Sequence, residues 1–349
     1  MASSSKKQLG SPRMNMTCCK SGFGNRSGAG KMPPLSICLF AVVLALHGVA
    51  HAEDYPSRPI TLVAPSTPGS APDVLSRIVA RSLSEQLGAQ VVVLNRPGAG
   101  TNIGTASVTQ AAADGYTLLL GSIANTLNPH IMPKVGYRLE DFTPVSSVAA
   151  AADVLVVHPS TPAASVQELI AFLKSKPGTP AGHAGIGTTP HLSLETFRRM
   201  AGVEITMVPF KGGGEAQQGI LGGQVPFMFS TTIGILPHVR SGQLRALAVS
   251  SARRIAVAPE LPTVAESGLP GFDVVAWFGL FAPAGTPKPI VDRLSAETRS
   301  ALGTAEVHQR LIDLGAEPLG STPEAFSDYV NAEFQRWGRL SRELGISLD

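Results

Sequence analysis

The chain has 349 residues, 44% of them hydrophobic and only 15% charged, which excludes a disordered chain and leaves room for two domains or one large one. Its formal charge of +3 is misleading, because residues 1–52 carry six of the 28 basic residues and none of the 25 acidic ones; the remainder is net negative, and a nucleic-acid-binding role loses its main support. All three cysteines, Cys18, Cys19 and Cys38, lie in that same segment, so the rest of the chain has neither disulfides nor a thiol nucleophile, as suits an oxidising periplasm.

Residues 1–52 read as an export signal: a basic region, an apolar core from Leu35 to Val49, and small residues at Ala50 and Ala52 around His51, which place cleavage after Ala52. The core is shorter than the ~20 residues a membrane-spanning helix needs, which disfavours a retained anchor. The basic region is long, and Met14, Met16 and Met32 are alternative starts. Cys38 does not suit lipid attachment, since Ile37 precedes it where a small residue is expected.

The chain after the signal is organised around Ile60 to Gly88. Ile60, Leu62, Val63 and Ala64 predict a short buried strand that Pro65 ends; Ser66 to Pro72 predict a loop of hydroxyls, glycine and prolines; Val74, Leu75, Ile78, Val79 and Leu83 then recur at helical spacing. Pro72 suits the first helical position and Asp73 the positive end of the helix dipole. A strand feeding such a loop into a helix start aims backbone N–H groups at one point, a candidate seat for an anion.

Gln90 to Leu94 predict a second strand, followed by the loop Asn95 to Gly104 and a small-residue helix over 105–113. Gly98, Gly100 and Gly104 resemble a dinucleotide-binding turn, but their spacing is G-x-G-x-x-x-G and the following helix is brief, so a structural loop is the better reading. Tyr116 to Leu120 predict a third strand that opens into a small polar loop. Ser122 in that loop stands where open parallel sheets bind ligands, with a loop-capping serine as the alternative.

The alanine-rich passage from Thr143 to the β-branched run before His158 is a candidate crossing between domains. A helix over Val166 to Leu173 precedes a second strand, loop and helix unit: Gly182 to Gly187, the turn Thr188 to Pro190, and a helix from His191 to Met200. Its form echoes the opening stretch without repeating its sequence. Further strands are predicted over 205–210, 224–230, 244–249 and 274–281, with short helices over 215–221 and 236–240. Lys211 precedes three glycines, but no G-x-x-x-x-G-K-[ST] phosphate loop follows the signal. The C-terminal part is helical, and Phe326, Tyr329, Val330, Phe334, Trp337 and Leu340 recur there as core packing.

Strands alternating with helices predict parallel sheets, and the two anion-seat loops, about 115 residues apart, suggest two lobes facing a common cleft. Neither loop contains lysine or arginine. A bound carboxylate would be held by main-chain N–H groups, hydroxyls and water, each charge-assisted hydrogen bond worth roughly 1.5–3 kcal/mol. Catalysis is not expected: there is no G-x-S-x-G elbow, and His130, His158, His183, His191, His238 and His308 are scattered. His191 and Glu195 form a weak metal pair, and His191 reads better as a hydrogen-bonding group at a helix terminus. No metal and no cofactor are expected.

The segments YPSRPITLVAP, PGSAPD (Pro68 to Asp73), NRPGAGTNIG, DGYTLLLGS, GIGTTPHL (Gly185 to Leu192), VPFKGGGEA, LGGQVPFMF, LRALAV, LPTVAESGLPGF, WFGLFAPAGTP and LGAEP occur in this order. Together they resemble the extracytoplasmic solute receptors of tripartite tricarboxylate transporters, the Bug receptors, over nearly all of Tyr55 to Ile346. The resemblance implies an α/β, periplasmic binding protein type II-like fold: two lobes, each with a central mostly parallel sheet flanked by helices, joined by two crossing segments. Residues 53–150 and 277–349 would form one lobe and 151–276 the other.

The resemblance further implies ligand contacts from Ser66, Thr67, Gly69, Ser70, Ala71 and Asp73 on one lobe and from Gly187, Thr188 and His191 on the other. Ser122, Phe229, Ser230 and Thr231 would lie nearby, and Trp277 is a candidate cleft residue or, equally, a hinge-packing one. The implied partners are a small carboxylate (an organic acid, an aromatic acid or an acidic amino acid) and the membrane permease subunits of a tripartite tricarboxylate transporter, with the receptor itself a monomer. A receptor of the same fold that signals through a sensor kinase is the alternative. The family's first loop usually reads P-G-G-x-[TS]-D. Here Ser70 replaces the second glycine and Pro72 stands before Asp73, which adds a hydroxyl and removes an N–H, so capture by this loop and the identity of the ligand are the open points.

Overall fold

The computed structural model describes residues 55–343, and the expected export signal and its cleavage site lie outside them. β1 (Ile60–Ala64) runs parallel between β2 (Val91–Asn95) and β3 (Thr117–Ser122). Four of the five β1 residues are buried, as a strand covered on both faces must be. Helix α1 (Ala71–Leu87) connects β1 to β2 and buries Leu75, Ile78, Val79 and Leu83, the predicted face, before Gly88 ends it in the left-handed conformation. α2 (Asn102–Thr109) leads into β3, and α3 (Ala124–Ile131) follows it.

The chain then enters β4 (Phe142–Val157), a 16-residue strand. Up to Ala152 it pairs antiparallel with β9 (Val275–Pro283), which itself lies antiparallel to β3; β10 (Ala316–Pro318) pairs with the same stretch of β4. From Asp153 onward β4 pairs antiparallel with β7 (Phe227–Thr231), and from Val154 also with β8 (Arg245–Val249). β5 (Thr179–His183) runs parallel between β7 and β6 (Ile205–Pro209). The architecture is therefore mixed: one sheet holds the parallel ladder of β2, β1 and β3, a second holds that of β6, β5 and β7, and the long antiparallel strand β4 belongs to both, with β9 beside its first part.

The second sheet carries α4 (Val166–Ser175), α5 (Thr189–Ala201), α6 (Gly213–Leu221) and α7 (Thr232–Arg240). The C-terminal helices are α8 (Lys288–Gly303), α9 (Ala305–Asp313) and α10 (Pro323–Glu343). Separate apolar cores form around Ile60, Leu75, Leu118 and Leu280 and around Leu155, Phe197, Phe227 and Phe229.

Several elements differ from the sequence reading. α3 stands where a polar loop was expected, because Asn125, Thr126 and Asn128 find buried partners that no local pattern announces. Ala71 takes the first helical position of α1 and Pro72 the second. α6 starts two residues early, through glycines that disfavour helix. The reason is steric: a Cβ on Gly214 would collide with the carbonyl of Pro68 in the first loop. Phe326, Val330 and Trp337 of the C-terminal aromatic stripe are buried, whereas Tyr329 is 45% exposed at its edge.

Candidate functional site

The first loop and the turn before α5 use one device. In each, a hydroxyl residue caps the helix through its backbone alone, a small residue follows, and proline takes the second helical position: Ser70, Ala71, Pro72 and Thr188, Thr189, Pro190. Val74 N–H donates to the Ser70 carbonyl at 2.9 Å and Leu192 N–H to that of Thr188 at 3.1 Å. Neither side chain caps its own helix. Proline removes one of the N–H groups that a helix start leaves without an intrahelical partner, and the others point outward along the axis.

These two helix starts meet at a cavity of about 50 Å³, measured to the centres of water-sized molecules. Among the described residues, six helices contribute a lining residue at or next to their first turn: Ser70 for α1, Thr101 for α2, Ser122 for α3, Thr188 for α5, Gly213 for α6 and Thr231 for α7. No lysine, arginine, histidine, aspartate or glutamate lines it. A helix N-terminus is worth roughly 0.3–1 kcal/mol to a nearby anion, and more where water is excluded. Several together favour an anion without any fixed cation.

The hydroxyls of the cavity divide by what they already bond. Ser70 Oγ and Thr101 Oγ1 are buried without a partner among the described residues. Ser230 Oγ lies 3.3 Å from the Gln217 amide, whose N–H donates to it. Ser122 Oγ accepts weakly from Ala124 N–H at 3.4 Å. Thr188 and Thr231 instead donate into the protein, to the Gly185 carbonyl and to the Asp153 carboxylate. Buried polar groups left without partners carry a penalty of about 1–3 kcal/mol each, which a polar ligand would relieve.

Other expected contact residues lie off the lining. Asp73 turns back on its own loop: its carboxylate accepts from Gly69 N–H at 2.9 Å, from Asn95 at 2.9 Å and from Arg77 at 2.9 Å. Burial acts to raise the Asp73 pKa, but these hydrogen bonds outweigh it and hold the carboxyl below its usual range. The carboxylate thus reaches back past the N-cap to the residue before it, and the Ser70 hydroxyl is left unemployed. Thr67 accepts from the N–H groups of Gly214 and Glu215. Gly187 packs against the Asn128 side chain, and its N–H donates to His191 Nδ1 at 3.4 Å.

His191 packs against His183 with the ring centres 4.8 Å apart and the planes tilted by 49°, and burial pushes both imidazoles down, His183 to about 4. Phe229 is core, between Phe197 and Phe272. Trp277 packs with Phe281, Phe326 and Tyr329 and lines a separate groove of about 540 Å³ along β9 and α10, whose lining, unlike that of the cavity, includes the charged side chains of Asp273, Glu333 and Arg336. No group of three metal-ligating side chains occurs among the described residues.

Thr101, Thr189, Pro190, Gly213, Gln217 and Phe278 line the cavity although sequence reasoning did not select them. Thr189 and Pro190 belong to the turn that the sequence marks at the start of α5. Thr101 and Ala99 adopt left-handed φ values of 80° and 48°, which cost non-glycine residues of order 1–3 kcal/mol and mark functional loops, and that conformation is not readable from sequence.

The profile of the tripartite tricarboxylate transporter family receptor, TctC, matches residues 75–346. The chain belongs to this receptor family. It is 39% identical to the protein BugT of Bordetella pertussis over 319 residues, 89% of this chain and 98% of that one. Among solved structures it is similar to R. palustris Rpa4515 with adipate, at 37% identity and a TM-score of 0.82, covering 84% of this chain and 99% of that one. It is also similar to MatC from Rhodopseudomonas palustris with bound malate, at 34% identity and a TM-score of 0.78, covering 82% and 99%. The receptors of this family are periplasmic solute-binding proteins rather than enzymes, and the architecture is that of periplasmic binding proteins.

In this receptor the two departures of the first loop have definite consequences. Ser70 sits at the N-cap with φ −74°, in the extended region, so the loss of glycine there introduces no left-handed strain. The hydroxyl it adds is one of the two orphans facing the cavity. Pro72 also lines the cavity, where its ring supplies apolar surface in place of an N–H.

Proposed function

We propose that this chain is a periplasmic receptor that captures a small carboxylate by closure of two lobes and delivers it to the permease subunits of a tripartite tricarboxylate transporter. The observation that carries this reading is the convergence of helix starts and unbonded hydroxyls on a cavity without charged side chains. Adipate and malate in the related structures support a dicarboxylate of similar chemistry as the ligand here.

In this reading residues 53–150 and 277–349 form one lobe and 151–276 the other, with β4 and β9 as the hinge strands. Ser66, Ser70, Ala71, Ser122, Thr188, Ser230 and Thr231 contact the ligand directly, and Thr67, Gly69, Asp73, Gly187 and His191 shape the loops that do. The chain is exported, cleaved after Ala52, and acts as a monomer. A ligand stabilises the closed arrangement only by its better contacts there.

The test is thermal unfolding of the purified receptor against a panel of dicarboxylic, tricarboxylic, aromatic and amino acids. At a hundredfold excess over Kd, a true ligand adds about 2.7 kcal/mol of stability and raises the melting temperature. A panel in which no acid does so, together with no small acid released from periplasmic protein in mass spectrometry, overturns the reading.

A further inference from the structure

The buried carboxylate of Asp153 is not accounted for by carboxylate capture. Asp153 is fully buried at the point where β4 leaves its pairing with β9 at Ala152 and begins its pairing with β7 opposite Thr231. Ser250 fixes its backbone on both sides: Asp153 N–H donates to Ser250 Oγ, and Ser250 N–H to the Asp153 carbonyl, each at 2.8 Å. Its carboxylate accepts from two hydroxyls, Ser193 Oγ of α5 at 2.8 Å and Thr231 Oγ1 at 3.0 Å.

No charged partner offsets it among the described residues. The titratable groups of α5 are engaged elsewhere, His191 with Gly187 N–H and Glu195 with Arg198 and Arg199. Asp273, in the segment before β9, accepts from Ala252 N–H. β7 and the residue after β8 offer Asp153 only Thr231 and Ser250.

Thr231 lines the cavity, and a hydroxyl has one proton to give. With that proton held by Asp153, the face of Thr231 Oγ1 toward the cavity presents lone pairs only. Its neighbour Ser230 is the opposite case, since it accepts from Gln217 and keeps its proton for the ligand.

We propose that Asp153, by holding the hydroxyl proton of Thr231, makes the cavity selective for a carboxylate that also carries a hydrogen-bond donor, a hydroxyl or ammonium group, over the plain dicarboxylate of the same length. The helix starts and Ser230 take the carboxylate; Thr231 takes the donor. Asp153 is a positioning residue that acts through Thr231. A plain dicarboxylate leaves the Thr231 lone pairs desolvated and unpaired, which is the strong form of discrimination. Burial also lifts the Asp153 pKa to about 7 against the two hydroxyl bonds. Once protonated, Asp153 has a proton of its own to give; in the form that carries it on the oxygen facing Thr231, the Thr231 hydroxyl accepts from Asp153 and is free to donate to a carboxylate, so the selectivity weakens at acid pH.

This inference rests on the carboxylate reading above, and the experiment separates the two. Titration calorimetry is run with four-, five- and six-carbon dicarboxylates, each plain, 2-hydroxy and 2-amino, at pH about 6 and about 8.5, on either side of the Asp153 transition. At the higher pH the wild type binds a hydroxy or amino acid at least tenfold tighter than its plain counterpart, and the ratio narrows at the lower pH. Thr231→Val brings the ratio close to one at both pH values, and Thr231→Ser, which keeps the hydroxyl, restores it. Asp153→Asn removes the pH dependence of the ratio. Plain acids binding as tightly as their substituted partners at high pH, or a ratio that survives Thr231→Val, overturns the inference while leaving carboxylate capture intact. Failure of every acid in the set to bind overturns the inference, and failure of the wider panel above as well overturns both.

Discussion

Thr67 Oγ1 in the first loop accepts from Gly214 N–H at 3.1 Å and from Glu215 N–H at 3.3 Å, and so caps a helix 147 positions away in the chain. The residue that would normally do this, at the N-cap of α6, is Gly212, which has no side chain. The first loop thus completes a helix that is incomplete by itself, and in the proposed receptor this contact belongs to the closed state.

Removing that cap weakens closure without touching the cavity. Hydroxyl caps are worth about 1 kcal/mol, so Thr67→Val is expected to lower affinity about fivefold for any ligand that binds the closed state. The change should appear in the dissociation rate, measured by stopped-flow fluorescence, with little effect on the unfolding midpoint of the ligand-free receptor.

A wedge at the same contact separates helix propensity from closure. Gly214→Ala favours α6 by up to about 1 kcal/mol in isolation, yet the new Cβ meets the Pro68 carbonyl when the lobes close. The expected outcome is an unchanged or higher melting temperature without ligand and affinity reduced at least tenfold, checked by calorimetry. Small-angle scattering should show a more open average shape.

Asp153 and His183 impose opposite pH dependences on stability. The folded chain keeps the Asp153 proton up to pH about 7, whereas the unfolded chain releases it near 3.8; stability is therefore lost as pH rises through that window, by about 4 kcal/mol in total, and is level above it. His183, held neutral by burial and by the neighbouring His191, has its pKa lowered to about 4, so stability is lost as pH falls below 6.5. Asp153→Asn removes the first dependence alone. Its melting temperature relative to wild type should rise between pH about 4 and about 7 and level off above that, and a constant difference between pH about 4 and about 7 would contradict a buried proton on Asp153.

What could be read from the sequence was whatever depends on neighbours in the chain. The strand β1, the apolar face of α1 and the helix start at Ser70 follow from hydrophobic spacing and from proline and glycine chemistry, which act over a few residues. So did the absence of lysine and arginine from both loops, and with it the character of the cavity. Local chemistry placed Ser70 and Asp73 together at one anion seat because both stand in a helix's first turn. Only the folded arrangement separated them, since Asn95 and Arg77 draw the Asp73 carboxylate away and leave the Ser70 hydroxyl to the cavity. Thr101, the helix at Ala124 to Ile131, the cap that Thr67 supplies to α6 and the proton that Asp153 takes from Thr231 depend on groups far apart in sequence. Contacts of that kind are set by which distant segments the tertiary fold brings to hydrogen-bonding distance, and no periodicity within a single segment encodes that distance.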